Sequence, residues 1–227
     1  MKALKVKAIK VSPSILSADF SNLGKLVSDI EKAGADSLHL DVMDGHFVRN
    51  LTFGPLVVSA IRRHTSLPLE VHLMMDRPDL YVEQFGDAGS DMLIIHREAK
   101  CNLESTIEEI KKNEMKAGIA LNPDSDVKSV FGLLPKADML LVMSVDPGFG
   151  GQKFISNSLG KISEAKRHAD GKKLKLTIAV DGGVNEETGR KVVEAGADEI
   201  IVGTAITGSK DMKAAIARMK DLAKYKL

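Results

Sequence analysis

The sequence contains few cysteine and aromatic residues and has no surplus of charge. One cysteine, Cys101, occurs among 227 residues, so no disulfide can form within the chain, and we expect a reducing, cytoplasmic location. Aromatic residues make up 4%, and 32 lysines and arginines balance 31 aspartates and glutamates to a net charge of +1. This balance argues against binding to nucleic acid or an anionic membrane, because both depend on a basic surplus.

Long apolar segments are also missing. The longest apolar run, Met139 to Met143, is far shorter than the about 20 residues that a membrane-spanning helix needs. The N-terminal MKALKVKAIKV interleaves lysines with one or two apolar residues and does not form the apolar core of an export signal. We therefore expect a soluble protein. Since no linker divides the chain, we expect one domain over residues 1–227.

The chain does contain a repeat. A small-residue stop, an Ala-Asp or Ser-Asp pair and an apolar run recur as AGADSLHLDV (33–42), AGSDMLIIH (88–96), KADMLLVMSV (136–145) and AGADEIIVG (195–203). The glycines Gly34, Gly89 and Gly196 suit the left-handed residue that ends a helix, and strand-like runs follow them. Four more strand candidates lie between the repeats, at 10–16, 67–74, 115–121 and 174–180.

Helical patterns fill the intervals between these strands. Segments 22–33, 103–113 and 185–195 carry apolar residues at helical spacing, with charges on the other face. Eight strands that alternate with helices predict an α/β fold, a single (β/α)8 TIM barrel, and a doubly wound open sheet is the alternative. In such barrels the active site lies at the carboxyl ends of the strands.

Ionisable side chains occur at several of those ends. Alternation along the second strand places His39, Asp41 and Met43 on the face opposite its leucines, which directs them into the barrel. His72 ends the third strand and Asp181 the seventh. Two imidazoles and two carboxylates at one mouth predict a site for Zn²⁺, Fe²⁺, Mn²⁺ or Co²⁺. The alternative is a buried His–Asp pair that serves only the fold.

Glycine-rich segments follow the last three strands. They comprise Gly148, Phe149, Gly150 and Gly151 after the sixth, Gly182 and Gly183 after the seventh, and Gly203 with Thr204 after the eighth. Backbone N–H groups in such turns can bind a phosphate without a lysine, and their clustering on adjacent units favours that interpretation over simple tight turns.

Two further groups of side chains lie at strand ends. Met43, Met74 and Met143 point inward and would form an apolar wall beside the candidate ligands, although inward methionines are usually core residues. His96 and Glu98 share a face at the end of the fourth strand, and we interpret this pair as support for the metal ligands.

These motifs resemble those of the ribulose-phosphate 3-epimerase family. The resemblance runs in order from about residue 11 to about residue 206 and is carried by PSILSADF (13–20), HLDVMDGHFVRNLTFG (39–54), VHLMM (71–75), HREA (96–99), GIALNP (118–123), VMSVDPGFGGQKF (142–154), VDGGVN (180–185) and GADEIIVGTAI (196–206).

The resemblance implies a metal-dependent barrel enzyme that interconverts D-ribulose 5-phosphate and D-xylulose 5-phosphate through an enediolate. His39, Asp41, His72 and Asp181 would be the metal ligands, and the two aspartates would also be the acid–base groups. Ser14, His72 and the three methionines would contact the substrate, and the glycine segments would hold its phosphate. Members of the family commonly form dimers or hexamers, so we expect a homo-oligomer.

Two residues depart from the family pattern without removing a proposed catalytic group. Arg49, in a loop at the mouth, stands where proline is usual, and Thr204 stands where serine is common. Two other functions stay open. An epimerase of a hexulose 6-phosphate such as D-allulose 6-phosphate would use the same chemistry. A non-catalytic sugar-phosphate-binding barrel is less favoured, because it would not need four converging ligands.

Overall fold

A computed structural model describes residues 8–225. The stretch MKALKVK lies outside the described residues and belongs to the segment in which we predict no export signal. Eight parallel strands form one sheet in the order β1-β8-β7-β6-β5-β4-β3-β2. Their bounds are Lys10–Pro13 (β1), Leu38–Met43 (β2), Leu69–Met74 (β3), Met92–His96 (β4), Lys116–Leu121 (β5), Met139–Met143 (β6), Thr177–Asp181 (β7) and Glu199–Val202 (β8).

The sheet closes into a barrel between β1 and β2. Just beyond β1, Ser14 forms a parallel bridge with His39, and the Ile15 N–H donates to the His39 carbonyl at 3.3 Å. At its other edge β1 is paired with β8 over its whole length. The prediction of a (β/α)8 TIM barrel is confirmed, and the open doubly wound sheet is wrong.

Helices surround the strands. Their bounds are Leu23–Lys32 (α1), Pro55–Arg62 (α2), Val82–Asp87 (α3), Leu103–Lys112 (α4), Ser158–Lys172 (α5), Glu186–Glu194 (α6), Thr204–Thr207 (α7) and Met212–Asp221 (α8). Short 3-10 helices cover Phe20–Asn22, Pro78–Leu80, Val127–Val130, Leu134–Lys136 and Leu222–Tyr225. The three helical segments predicted from periodicity coincide with α1, α4 and α6. No helix within residues 8–225 is long and apolar enough to cross a membrane.

The connection from β5 to β6 departs from the strict alternation that the sequence predicted. Two 3-10 helices, Val127–Val130 and Leu134–Lys136, replace the expected α-helix. Gly132 and Pro135 interrupt this segment, and a proline removes a backbone donor that a continuing helix would need. The connection between β5 and β6, which the structure describes throughout, therefore contains no α-helix.

The aspartates of the repeat join strand starts in pairs. Asp138, just before β6, accepts the Ala117 N–H of β5 on its carboxylate at 2.9 Å and donates its own N–H to the Ala117 carbonyl at 2.8 Å. The same double contact joins Asp36 to Val11, Asp91 to Leu69 and Asp198 to Ile178. Each repeat therefore fixes an even-numbered strand to the strand before it, at the end opposite the mouth.

Side chains of β2 show how the barrel separates its two faces. Leu38, Leu40 and Val42 pack in the large core between strands and helices. The alternate residues His39 and Asp41 are also buried, but on the inner face. The interior is apolar around its middle, with polar groups above and below: His39, Asp41 and His72 lie near the mouth, and Ser12, Glu70 and Glu199 near the opposite end.

Candidate metal centre and sugar-phosphate cavity

Four side chains predicted as ligands converge at the carboxyl ends of β2, β3 and β7. One ligand atom from each of His39, Asp41, His72 and Asp181 lies within 4.8 Å of the other three. His39 and His72 are fully buried, and Asp41 is 3% exposed. Because Asp41 and His72 stand opposite each other in the β2–β3 register, the strand pairing itself sets their distance.

The spacing of three of these ligand atoms suits a metal ion. Oδ1 of Asp41 lies 3.4 Å from Nε2 of His39 and 3.1 Å from Nδ1 of His72, and the two nitrogens are 3.3 Å apart. An ion with bonds of about 2.1 Å keeps neighbouring ligand atoms about 3.0–3.4 Å apart in octahedral or tetrahedral coordination. Nitrogen and oxygen donors at these distances therefore fit a divalent transition metal.

The electrostatics of the cluster favour exchange of a proton for a cation. Burial disfavours the charged form of His39, but the adjacent Asp41 carboxylate outweighs it and raises the pKa of His39 to about 9. Burial lowers the pKa of His72 to about 3, so this imidazole is neutral and free to act as a ligand. For Asp41, burial opposes ionisation, yet the charge of His39 and its hydrogen bond hold the pKa of Asp41 below the usual range. A cation would displace the proton of His39, and the Asp41 carboxylate would offset part of its charge.

The two carboxylates are held in different protonation states. Burial, followed by the charge of Asp41, raises the pKa of Asp181 to about 7. Asp41 is fixed by the Ser14 hydroxyl, which donates to its Oδ2 at 2.6 Å. A pair of acids whose surroundings separate their pKa values offers one proton donor and one proton acceptor near neutral pH.

A cavity of about 370 Å³ opens above this cluster. Asp41 and Asp181 line it, together with Ser14 and the three methionines predicted as an apolar wall, Met43, Met74 and Met143. His39 and His72 are not among its lining residues. His72, which the family resemblance also suggested as a substrate contact, is fully buried beside the floor instead.

All the glycine segments predicted to hold phosphate line one side of the same cavity. They comprise Gly148, Phe149, Gly150, Gly151, Gly182, Gly183, Gly203 and Thr204. Gly183 has a φ of +63°, and a Cβ there would lie 2.7 Å from the Phe154 nitrogen. The backbone therefore approaches as closely as it does only because no side chain intervenes.

Polar side chains hold the loop after β6 against the mouth. The Gln152 amide donates to the carbonyls of Asp146 and Phe149 at 2.6 and 2.9 Å. Asn50 donates to the Gly148 carbonyl at 2.6 Å, which ties the loop after β2 to the loop after β6. Arg49, next to Asn50, is exposed.

Several lining residues were missed by the sequence analysis. Ser17, Gln152 and Asn185 face the cavity from loops. Asn185 also accepts the N–H groups of Glu187 and Thr188 and so begins α6. An asparagine three residues before a threonine at the start of a helical pattern could have indicated that cap. Ser17 lies within the motif PSILSADF, but only Ser14 of that motif was predicted as a substrate contact.

His96 lies against His72, as the sequence analysis expected for a residue that supports the ligands. Nε2 of His96 is 2.8 Å from Nε2 of His72, and the two rings are almost parallel, at 21°. Nδ1 of His96 is 3.3 Å from Oε2 of Glu98. The pair therefore extends the polar cluster away from the cavity.

Comparison with known proteins agrees with this geometry. Residues 10–207 match the model of the "Ribulose-phosphate 3 epimerase family". The chain is 53% identical over 213 residues to ribulose-phosphate 3-epimerase of Bacillus subtilis, covering 93% of this chain and 98% of the relative. It is 45% identical over 214 residues to the chloroplastic ribulose-5-phosphate-3-epimerase of Arabidopsis thaliana, covering 93% and 76%.

Solved structures of more distant proteins share the fold. KGPDC from Streptococcus mutans superposes with a TM-score of 0.69 at 12% identity, covering 96% of this chain and 98% of the other. A 3-hexulose-6-phosphate synthase also gives 0.69, at 18% identity, covering 94% and 99%. At these identities the likeness shows the barrel alone.

Proposed function

The chain belongs to the ribulose-phosphate 3-epimerase family of isomerases, and we propose that it interconverts D-ribulose 5-phosphate and D-xylulose 5-phosphate with the aid of a divalent metal ion. The observation that carries this proposal is the placement of Asp41 and Asp181 on different strands at the floor of one cavity. The sequence similarity supports the same reaction.

Epimerisation next to a ketone requires two proton transfers. One group must remove the proton from one face of the carbon, and another must return a proton to the opposite face. Asp41, whose pKa is held low, suits the acceptor, and Asp181, whose pKa is raised to about 7, suits the donor. In the reverse direction the two carboxyl groups exchange these tasks.

The charge that develops on the substrate oxygens needs compensation. His39, Asp41, His72 and Asp181 would hold the divalent ion, and when bound it supplies positive charge beside the enediolate oxygens. The donor set suits Zn²⁺, Fe²⁺, Mn²⁺ or Co²⁺. Ser14 keeps Asp41 in one orientation through its 2.6 Å hydrogen bond, so the base does not turn away from the substrate carbon.

The rest of the cavity binds and orients the sugar phosphate. Backbone of the three glycine segments would receive the phosphate, which lies far from the reacting carbon and serves to position it. Met43, Met74 and Met143 are each 2% exposed and exclude water from the wall beside the carboxylates. Such a wall would protect the enediolate from side reactions.

Turnover of the two aspartate variants tests this assignment. Asp41→Asn and Asp181→Asn should each lower kcat by about 10²–10⁴-fold or more, because each removes one proton-transfer group. Asp170→Asn, on the exposed face of α5, is the matched control and should be near wild type. Near-normal turnover in either cavity variant would refute the two-carboxylate mechanism.

Two further measurements separate the alternatives. Chelator-treated protein should lose activity and regain it with added divalent metal, and full activity after rigorous demetallation would remove the metal from the mechanism. Side-by-side kinetics on D-ribulose 5-phosphate and D-allulose 6-phosphate should favour the pentulose. A preference for the hexulose would reassign the substrate, and binding of either sugar phosphate without solvent-proton exchange at its carbon would indicate a non-catalytic barrel.

A further inference from the structure

A row of hydrogen bonds leads from His72 to the loop after β5. Nε2 of His72 lies 2.8 Å from Nε2 of His96, and Nδ1 of His96 lies 3.3 Å from Oε2 of Glu98. The other oxygen of Glu98 accepts the Asn122 N–H at 3.1 Å and the Ser125 hydroxyl. None of these groups lines the cavity, so the row has no direct contact with the proposed substrate.

The direction of the hydrogen bonds follows from the carboxylate at the end of the row. Burial opposes ionisation of Glu98, but its Oε1 accepts hydrogen bonds from the Ser125 hydroxyl and the Asn122 N–H, which help to hold the pKa of Glu98 below its usual value, so the carboxylate is a pure acceptor. Nδ1 of His96 must then carry a proton and donate it to Glu98. A His96 ring whose single proton is on Nδ1 presents a lone pair at Nε2.

That lone pair dictates the tautomer of His72. Facing an acceptor at 2.8 Å, Nε2 of His72 must carry the proton of this ring. Nδ1 of His72 is then a bare lone pair that can accept a hydrogen bond from Nε2 of His39 at 3.3 Å, and it lies inside the metal cluster, 3.1 Å from Asp41. The opposite tautomer would place a proton where a cation must bind.

Neighbouring side chains hold His96 and Glu98 in their orientations. The ring of Phe47 packs against His96 at 4.7 Å between centroids, while His72 stacks on His96 at 4.9 Å. On the far side, Lys161 donates to the carbonyls of Asn122 and Ser125, which fixes the backbone that holds Glu98. His96 is fully buried, and a flipped ring would lose its hydrogen bonds to both His72 and Glu98.

We propose that Glu98 and His96 are positioning residues that hold His72 in its Nε2–H tautomer, and that this directional row sets the affinity of the site for its divalent metal. The inference rests on the proposed metal role of His72. It assigns to Glu98 a function at a distance, through one intervening imidazole, without contact with metal or substrate.

Glu98→Gln should reverse the direction of the hydrogen bonds that join residue 98, His96 and His72, because glutamine has the same shape as glutamate but carries an NH₂ donor. Asn122 and Ser125 both donate to the position of Oε1, so they retain the amide oxygen there and turn the NH₂ group toward His96. Nδ1 of His96 would then accept, its Nε2 would donate to His72, and the proton of His72 would move to Nδ1. We expect the dissociation constant for Zn²⁺, measured by competition with a chromophoric chelator, to rise about 10- to 100-fold.

Ser125→Ala is the matched control. It removes a donor to the same carboxylate but leaves an acceptor facing His96, so the Zn²⁺ affinity should stay within about threefold of wild type. Equal affinities for Glu98→Gln and wild type would overturn the inference, as would equal losses in Glu98→Gln and Ser125→Ala.

Ring-nitrogen NMR of metal-free wild-type protein gives an independent answer that does not need a variant to fold. The inference requires a proton on Nδ1 of His96 and on Nε2 of His72. A proton on Nδ1 of His72, whether from the reversed row or from a doubly protonated His96, would overturn it. Neither readout depends on turnover, so failure of the epimerase proposal would leave both interpretable, and an absence of Zn²⁺ binding would refute the metal role itself.

Discussion

A buried glutamate at the end of the barrel opposite the mouth should make the stability of this protein depend on pH. Glu199 is fully buried on the inner side of β8, and its Oε1 accepts the Ser37 hydroxyl at 3.2 Å. Its Oε2 has no hydrogen-bond partner, and the Lys10 amine is 3.8 Å away. Burial, followed by the charge of nearby Glu70, raises the pKa of Glu199 from 4.5 to about 8.

The sign and size of the effect follow from this shift. Below pH 4.5 the Glu199 carboxyl is protonated in both the folded and the unfolded chain, so its ionisation does not reduce the free energy of unfolding. Between 4.5 and about 8 the unfolded chain releases the proton while the folded chain retains it, so stability falls as pH rises. Each pH unit in this window is worth about 1.4 kcal/mol, which gives a loss on the order of 3 kcal/mol between pH 6 and pH 8.

Glu199→Gln should abolish that loss, because glutamine resembles the protonated carboxyl and does not ionise. In a domain of this length about 3 kcal/mol corresponds to roughly 6–12 °C in Tm. Thermal unfolding is measured at pH 6 and pH 8.5 at constant metal concentration. Between these pH values the Tm of the wild type should fall by roughly 6–12 °C more than the Tm of Glu199→Gln. Glu187→Gln, at an exposed position on α6, should follow wild type. Parallel falls in wild type and Glu199→Gln would refute the reasoning.

Two further predictions concern the cavity loop and the repeat. Gly183→Ala should lower the free energy of unfolding by about 1–3 kcal/mol and raise KM for the sugar phosphate, because a Cβ would meet the Phe154 nitrogen at a positive φ. Gly171→Ala in α5, where a Cβ meets nothing, is the control. Unchanged kinetics together with unchanged urea unfolding in Gly183→Ala would contradict this prediction. Asp138→Ala should lower the free energy of unfolding in urea by about 1–3 kcal/mol and leave kcat unchanged, since the buried Ala117 N–H loses its acceptor far from the mouth. A loss of stability no larger than that of the exposed Asp170→Ala would count against this prediction.

The fold was predictable because the local patterns agree with the barrel. The repeat places an aspartate before every even-numbered strand, and the structure shows why: its carboxylate binds the start of the preceding strand. The chain between β5 and β6 was not predictable from the repeat. There, Gly132 and Pro135 outweigh helical spacing, and apolar residues pack as two short 3-10 helices.

The positions of the site residues were predictable for strands and not for loops. Parallel strands of a barrel end at one mouth, so His39 and His72 could be placed together from alternation alone. Ser17 and Gln152 reach the cavity from loops whose paths depend on contacts with other loops, such as the bond from Asn50 to Gly148. Proximity of His96 to the ligands could be expected, but the direction of its hydrogen bonds required the position of Glu98.

The barrel interior holds carboxyl groups in two layers, and each layer avoids repulsion by a proton. Near the mouth, the proton lies on His39, whose pKa of about 9 reflects the Asp41 charge, and a metal ion can take its place. At the opposite end Glu199 keeps its own proton beside Glu70. Glu70 and His72 are two residues apart on β3, about 7 Å, so the layers are close enough to interact. At pH 6 Glu199 is neutral, and Glu199→Gln should bind Zn²⁺ as wild type does. Above pH 8 Glu199 ionises in the wild type and places a negative charge beneath the metal site, whereas the glutamine of the Glu199→Gln variant stays neutral. Any difference in Zn²⁺ affinity between wild type and Glu199→Gln should therefore appear above pH 8.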